Sequence, residues 1–153
     1  RIEPVTNPSQ VNAYEYGQEV LKGRSAGTGS LKNPPQFERG LLVINKEVST
    51  LFISGTASII GQETIGRGDV AEQTAVSIEN LRRVADMQRI GNLTGKDDKG
   101  KYSLLRVYIK RQDDFGIVRE ICNEQFEGSP IVFIEADICR DDLLTEIEAV
   151  MTL

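Results

Sequence analysis

The residues best suited to acid–base chemistry lie near the C-terminus, in "LLTEIEAVM", residues 143–151. Taken as a strand, this segment sends Leu144, Glu146, Glu148 and Val150 to one side and Thr145, Ile147, Ala149 and Met151 to the other. A solvent face accepts the carboxylates but has no need of Leu144 and Val150. A core face asks for the reverse, and an interface containing a site accepts both. The chain has no histidine, so acid–base work falls to Asp, Glu, Tyr, Lys or Cys. A His-dependent triad and a His-ligated metal are excluded. Glu146 is the first candidate, and Glu148 reads as structural. Cys139 stands seven residues before Glu146, across a turn. On residue type alone a free Cys is a small buried hydrophobe.

Other segments offer groups for binding. "QDDFGIVREICNEQF" has helical spacing with Phe115, Val118, Arg119 and Cys122 on one stripe. A charge at Arg119 is unexpected there unless it snorkels to water or finds a partner. Arg106 and Tyr108 share one face of the strand "YSLLRVYI", which is either a binding face or a solvated one. Gly55 and Thr56 end another strand. A glycine at that place lets a ligand approach the backbone, or marks a bulge. Tyr14 and Tyr16, in "NAYEY", either close a cleft or only pin the chain to the surface.

A chain of 153 residues with 39% apolar and 27% charged content suits one globular domain. No long apolar run is present, so neither a membrane span nor a signal-peptide core is expected. The sequence starts at Arg1 rather than Met, which suggests a chain trimmed or cut from something longer. The net charge is −5, and Lys110–Arg111 is the nearest thing to a basic cluster, so nucleic acid is not an expected partner. Cys122 and Cys139 lack the spacing of a disulfide framework or a zinc site. They point to a reducing compartment, the cytoplasm. No metal and no cofactor are expected.

The elements that must position these residues follow from pattern. Residues 1–36 hold four of the five prolines and little periodicity, and are expected to form an irregular arm before a domain at 37–153. "GLLVINKEVSTLFISGTAS" predicts a hairpin, 41–45 and 50–56. "RGDVAEQTAVSIENLRRVADMQ" predicts a helix capped by Asp69 with Glu72 as capping-box partner, and Val70, Thr74, Ile78, Leu81 and Ala85 on its stripe. "GKDDKGK" reads as a solvated loop. "IVFIEADIC" and "LLTEIEAVM" read as the last two strands. The order ββαβαββ fits a single sheet with both helices on one face. The other face then needs cover, which a symmetric oligomer supplies.

"ISGTASI", "GDVAEQTAVSIENL", "LLRVYI" and "LLTEIEAVM", in this order and spacing, resemble the YjgF/RidA (endoribonuclease L-PSP) superfamily from about Gly40 to the end. The resemblance implies an α/β (α+β) chorismate-mutase-like fold and a homotrimer with ligand clefts between subunits. RidA-type imine deaminases hold the substrate carboxylate with an arginine in a P-x-R segment. Here that segment is "SPIVFIEAD", with Val132 in the arginine's place, and Val cannot pair with a carboxylate. "NPSQVNAYEYG", "ISGTASIIGQET" and "ADICRDDLLTEIEA" are more similar to the C-terminal catalytic half of chorismatases, over nearly the whole chain. Those enzymes cleave the enolpyruvyl ether of chorismate, a small carboxylate substrate, and release pyruvate.

This second resemblance implies roles. Glu146 matches the glutamate that protonates the enol ether. Arg119 matches an arginine that binds a substrate carboxylate. Cys139 matches the cysteine of subtypes that form 3-hydroxybenzoate by intramolecular attack, whereas subtypes forming a dihydrodiol carry a smaller residue. Three functions compete: a chorismatase-like lyase or hydrolase, a RidA-type deaminase with an altered anchor, and a trimeric small-molecule-binding protein without catalysis.

Overall fold

The computed structural model describes residues 1–21, 33–95 and 99–153. In chain order the elements are β1 (Ile2–Val5), β2 (Gly40–Val43), β3 (Thr50–Ala57), β4 (Ile59–Ile60), β5 (Glu63–Thr64), α1 (Val70–Val84), α2 (Met87–Thr94), β6 (Lys101–Ile109), α3 (Phe115–Gln125), β7 (Ile131–Glu135) and β8 (Thr145–Thr152). Six strands form one sheet in the order β1-β2-β3-β8-β6-β7. Only β6 and β7 run parallel, and α3 supplies the crossover that a parallel pair requires. β4 and β5 make a separate small hairpin.

α1 lies on β3 and β8, and α3 packs against α1. The expected α1 stripe of Val70, Thr74, Ile78, Leu81 and Ala85 is buried throughout. It meets Leu51, Ile53, Leu105, Val107, Ile147 and Ala149 from alternate positions of the strands. Each large side chain buried this way is worth about 1.5–3 kcal/mol, which fixes strand register against a one-residue slip. Asp69 caps α1, accepting the backbone N–H of Glu72 at 2.9 Å. The fold is thus the mixed α+β arrangement expected, one main sheet with its helices on one face. The opposite face is covered only in part, where the arm and the loop before β8 overlie it; elsewhere Leu41, Phe52 and Val132 are exposed, Phe52 and Val132 at 46% and 48%.

Four details differ from expectation. Residues 2–5 are a strand, not irregular chain. They escape notice because Pro4 breaks the pattern, yet a proline is tolerated on an edge strand. The long helix is two: α1 stops at Val84, and Asp86 caps α2 by accepting the Arg89 N–H at 3.0 Å. α2 ends on Gly95 at φ 71°, a left-handed conformation that suits glycine. Phe115 is not on the buried stripe of α3. It opens the helix at its exposed end, edge-on to Phe133 at 5.6 Å, while Val118, Cys122 and Phe126 reach the core. "IVFIEADIC" is strand only as far as Glu135, and residues 136–144 form a loop. Part of the expected arm, 22–32, and the centre of the "GKDDKGK" loop, 96–98, lie outside the described residues.

Candidate active site

Glu146 sits on the uncovered face of β8, opposite Ala57 on β3 and Tyr108 on β6. Between the pairs Ile53–Ala149 and Thr56–Ile147, β3 holds two residues, Ser54 and Gly55, against the single Glu148. This is a β-bulge, which bends the strand and re-aims its neighbours. Glycine makes room there: a Cβ at position 55 would displace the Glu146 carboxyl from its place. The carboxyl therefore folds back over the β3 backbone instead of standing in water.

Glu146 lines a cavity of about 540 Å³ together with Cys139, Gly55, Tyr16, Tyr108 and Glu148. Burial, then the charge of Glu148, pushes the Glu146 carboxyl above its ordinary range, and Arg39 pulls the other way. Cys139 is exposed as a residue, but desolvation at the cavity wall and the charge of Glu146 raise its thiol. Arg140 and Arg39 oppose that rise. Cys122, in the core, is pushed up to about 12 by burial and takes no part.

Two arginines in the cavity were not among the sequence candidates. Arg39 is 3% exposed and Arg140 8% exposed, and both line the wall. Arg39 donates through Nη2 to the Val11 carbonyl at 2.8 Å and to the Tyr16 hydroxyl at 2.6 Å. Arg140 donates through Nη1 to the Gln62 carbonyl at 2.7 Å. Both guanidiniums stand against the Tyr16 ring, at 5.6 and 5.0 Å from its centroid. Arg39 Nε and Arg140 Nη2 are buried and find no acceptor among the described residues. A buried donor without a partner costs about 1–3 kcal/mol, more when charged. Both belong to side chains lining the cavity, though neither atom is open to it as the side chains stand, so an anionic ligand would pair with them only after the guanidiniums turn.

The other charges of the wall are already matched. Glu148 Oε2 accepts from Arg106 Nη1 at 2.8 Å and from the Tyr108 hydroxyl at 2.9 Å. Asp137 lies 3.5 Å from Lys110 Nζ.

The irregular segments are held in place by buried side-chain amides. Gln73 of α1, fully buried, donates to the carbonyls of Gly66 and Asp142 at 3.1 and 2.8 Å and accepts the Leu144 N–H at 2.8 Å. It ties down the loop carrying Cys139 and Arg140. Gln10 and Asn80 both donate to the Ile59 carbonyl, at 3.0 and 2.8 Å, which fastens the arm beside the β4–β5 hairpin.

The remaining sequence candidates lie elsewhere. Thr56 is buried and turns its hydroxyl back to the Ser54 carbonyl at 2.8 Å. Tyr14 is exposed at 38% and does not line the cavity. Arg106 reaches the site only through Glu148. Arg119 is exposed on α3 with its guanidinium over Phe115 at 5.4 Å, outside this cavity. No periodicity marks Arg39 or Arg140, because both belong to irregular segments; Arg140 lies within "ADICRDDLLTEIEA", where the resemblance pointed only to Cys139 and Glu146.

Comparison with known proteins gives first a class and then a nearer likeness. The fold is that of YjgF/RidA proteins. A solved RidA from an Antarctic Psychrobacter superposes with a TM-score of 0.56 at 18% identity, over 85% of this chain and 92% of that one. At that identity the likeness is one of fold alone. A solved chorismatase superposes with a TM-score of 0.82 at 29% identity, over 98% of this chain and 43% of the other. The 3-hydroxybenzoate synthase of Streptomyces hygroscopicus is 34% identical over 157 residues, 96% of this chain and 42% of the relative. The chain is thus similar to chorismatases along nearly its whole length and spans about two fifths of theirs. No protein-family model matches it.

Proposed function

We propose that this chain carries the site of a chorismatase-like reaction, in which the enolpyruvyl ether of chorismate is cleaved and pyruvate is released. The observation behind this reading is the pairing, in one cavity, of a shielded carboxyl with two buried guanidiniums that have donors to spare. Chorismate brings two carboxylates and an enol ether. Arg39 and Arg140 would take carboxylate oxygens, since a guanidinium fork suits that geometry. Glu146, holding its proton more tightly than an ordinary carboxyl, would give it to the methylene carbon as a general acid. The resulting oxocarbenium ion would be stabilised by the glutamate left behind. Attack by water on that cation gives pyruvate and a dihydrodiol. Intramolecular rearrangement gives pyruvate and 3-hydroxybenzoate instead. Cys139, on the same wall as Glu146, favours the second outcome, as does the likeness to a 3-hydroxybenzoate synthase.

Val132 weighs against imine deamination, since that side chain offers no hydrogen bond to a carboxylate. The uncovered sheet face, with Leu41, Phe52 and Val132 exposed, supports a homotrimer in which neighbouring subunits cover one another. No helix of the described residues is long and apolar enough to cross a membrane. Two free thiols support a reducing, cytoplasmic location.

The test is chorismate turnover by the natural full-length protein, with pyruvate read by coupled oxidation of NADH and the aromatic product by chromatography. Pyruvate together with 3-hydroxybenzoate is expected. Glu146→Gln should cut the rate at least ~100-fold, the low end for loss of a general acid. Absence of pyruvate from the wild-type protein would replace this reading with that of a binding protein.

A further inference from the structure

Glu148 lines the cavity but has no task in the proton transfer just described. Its carboxylate is nonetheless clamped twice, by Arg106 Nη1 at 2.8 Å and by the Tyr108 hydroxyl at 2.9 Å, both accepted at Oε2. Both partners come from β6, at positions directly across the ladder: Arg106 pairs with Glu148, and Tyr108 with Glu146. Strand alternation puts the two glutamates on one face, about 7 Å apart along β8. These two bonds favour the orientation in which Glu148 stays beside its neighbour.

A cavity built for an anion must carry cations, and cations strip a nearby acid of its proton. Every element around Glu146 contributes to that balance. The segment before β2 brings Arg39, and the loop before β8 brings Arg140 and Cys139. The arm brings Tyr16, and β6 brings Tyr108 and Arg106. β3 offers Ser54 and Gly55, neither of them charged. Asp137 is exposed and lies beside Lys110. Glu148 is then the anion held on Glu146's own face.

We propose that the Arg106–Glu148–Tyr108 cluster is a positioning device, which clamps a negative charge beside Glu146 so that the acid keeps its proton in a cavity lined by guanidiniums. The proposal rests on the reading of Glu146 as a proton donor, but its test does not need turnover. The Glu146 carboxyl is raised first by burial and second by Glu148, with Arg39 opposing, so the charge of Glu148 acts in the stated direction.

The experiment is a carboxyl titration by NMR on this chain with ¹³C-labelled glutamate side chains, Glu146 being identified by the resonance lost in Glu146→Gln. Glu148→Gln should lower the Glu146 midpoint by roughly half to one pH unit, the effect of one charge at this separation in a polar site. Tyr108→Phe removes one of the two clamps without changing any charge, so Glu148 is held less firmly and the midpoint should fall by a smaller amount. A cluster with no hold on the proton would leave both variants at the wild-type midpoint. An unmoved or raised midpoint in either variant overturns the proposal. Should Glu148→Gln fail to fold, Tyr108→Phe decides alone: a fall supports the device and its absence refutes it. If the midpoints move as stated while the full-length protein releases no pyruvate from chorismate, the charge device stands and the assigned reaction falls. Turnover with unmoved midpoints gives the converse.

Discussion

Tyr16 offers a test of whether the N-terminal arm is part of the anion cradle, because two substitutions separate its hydroxyl from its ring. Tyr16→Phe removes only the oxygen that accepts Arg39 Nη2 at 2.6 Å. A hydrogen bond to a charged donor is worth about 1.5–3 kcal/mol, and Arg39 is too deeply buried for water to replace the lost acceptor. Arg39 keeps its bond to the Val11 carbonyl, so the loss should stay near the middle of that range, about 2 kcal/mol. In a chain of this length that lowers the melting temperature by about 4–8 °C. Tyr16→Leu also removes the ring against which both guanidiniums stand. Each such cation–π contact contributes about 0.5–2 kcal/mol, so for the two together a further ~1–4 kcal/mol should go. Urea unfolding reads both steps, and calorimetric titration with chorismate reads the cradle, where both variants should bind more weakly than wild type. Tyr16→Phe within ~0.5 kcal/mol of wild type would refute the anchoring role of the hydroxyl. Equal stability of the Phe and Leu variants would refute the role of the ring.

Glu146→Gln should also change stability with a pH dependence. The folded-state value of Glu146 lies above the ordinary 4.5, so the folded protein holds this proton more tightly than the unfolded chain. Wild-type stability is then lost as pH rises above 4.5, until Glu146 is ionised in both states. The Glu146→Gln variant has no proton to lose there, so it should melt higher than wild type at about pH 8 and give up that advantage as pH falls toward 4.5. A pH-independent difference in thermal melts would contradict the raised value. Burial first and the charge of Glu146 second should make Cys139 alkylate with iodoacetamide more slowly than an unperturbed thiol, and at pH above the Glu146 midpoint Glu146→Gln should speed it. Mass spectrometry follows the rate, with buried Cys122 as the unreactive reference; an unchanged rate in the variant would remove that charge from the account. Sedimentation of the isolated chain should give a trimer, and Phe52→Lys, on the uncovered face, should shift it toward monomer. A wild-type monomer at micromolar concentration would end the trimer proposal.

The sheet and α1 were legible in the sequence because their residues obey a period. Val70, Thr74, Ile78, Leu81 and Ala85 repeat as a helix face must, and each is buried. The two-residue alternation of "LLTEIEAVM" placed Glu146 and Glu148 together on the side away from the helices, where they are, but Leu144, expected on that face too, precedes the strand and is buried in the core. Where the pattern misled, a local feature overrode it. Pro4 disguised an edge strand, Asp86 capped a second helix inside an apparently continuous one, and Phe115 fell at a helix end where no core lies beneath it.

The cations of the site were hidden for a related reason. Arg39 follows the prolines of an irregular segment and Arg140 sits in the loop before β8, so neither has neighbours at a fixed spacing that would betray a buried position. An arginine in such a segment is ordinarily exposed. These two are buried because groups distant in sequence hold their segments in place, the Gln73 side chain of α1 on one loop and, on Arg39, the Tyr16 hydroxyl and the Val11 backbone carbonyl of the arm. The acid, by contrast, belongs to the most regular element of the molecule. That division follows from what each group must do. In the proposed reaction a proton donor would have to meet one carbon at a set distance and would gain from a rigid strand backed by a bulge. Carboxylate-binding groups would tolerate variation in reach but need burial and freedom from carboxylate partners, which loops packed over a cavity supply. A sequence pattern therefore finds the acid, and the cations become visible only when the chain is folded around it.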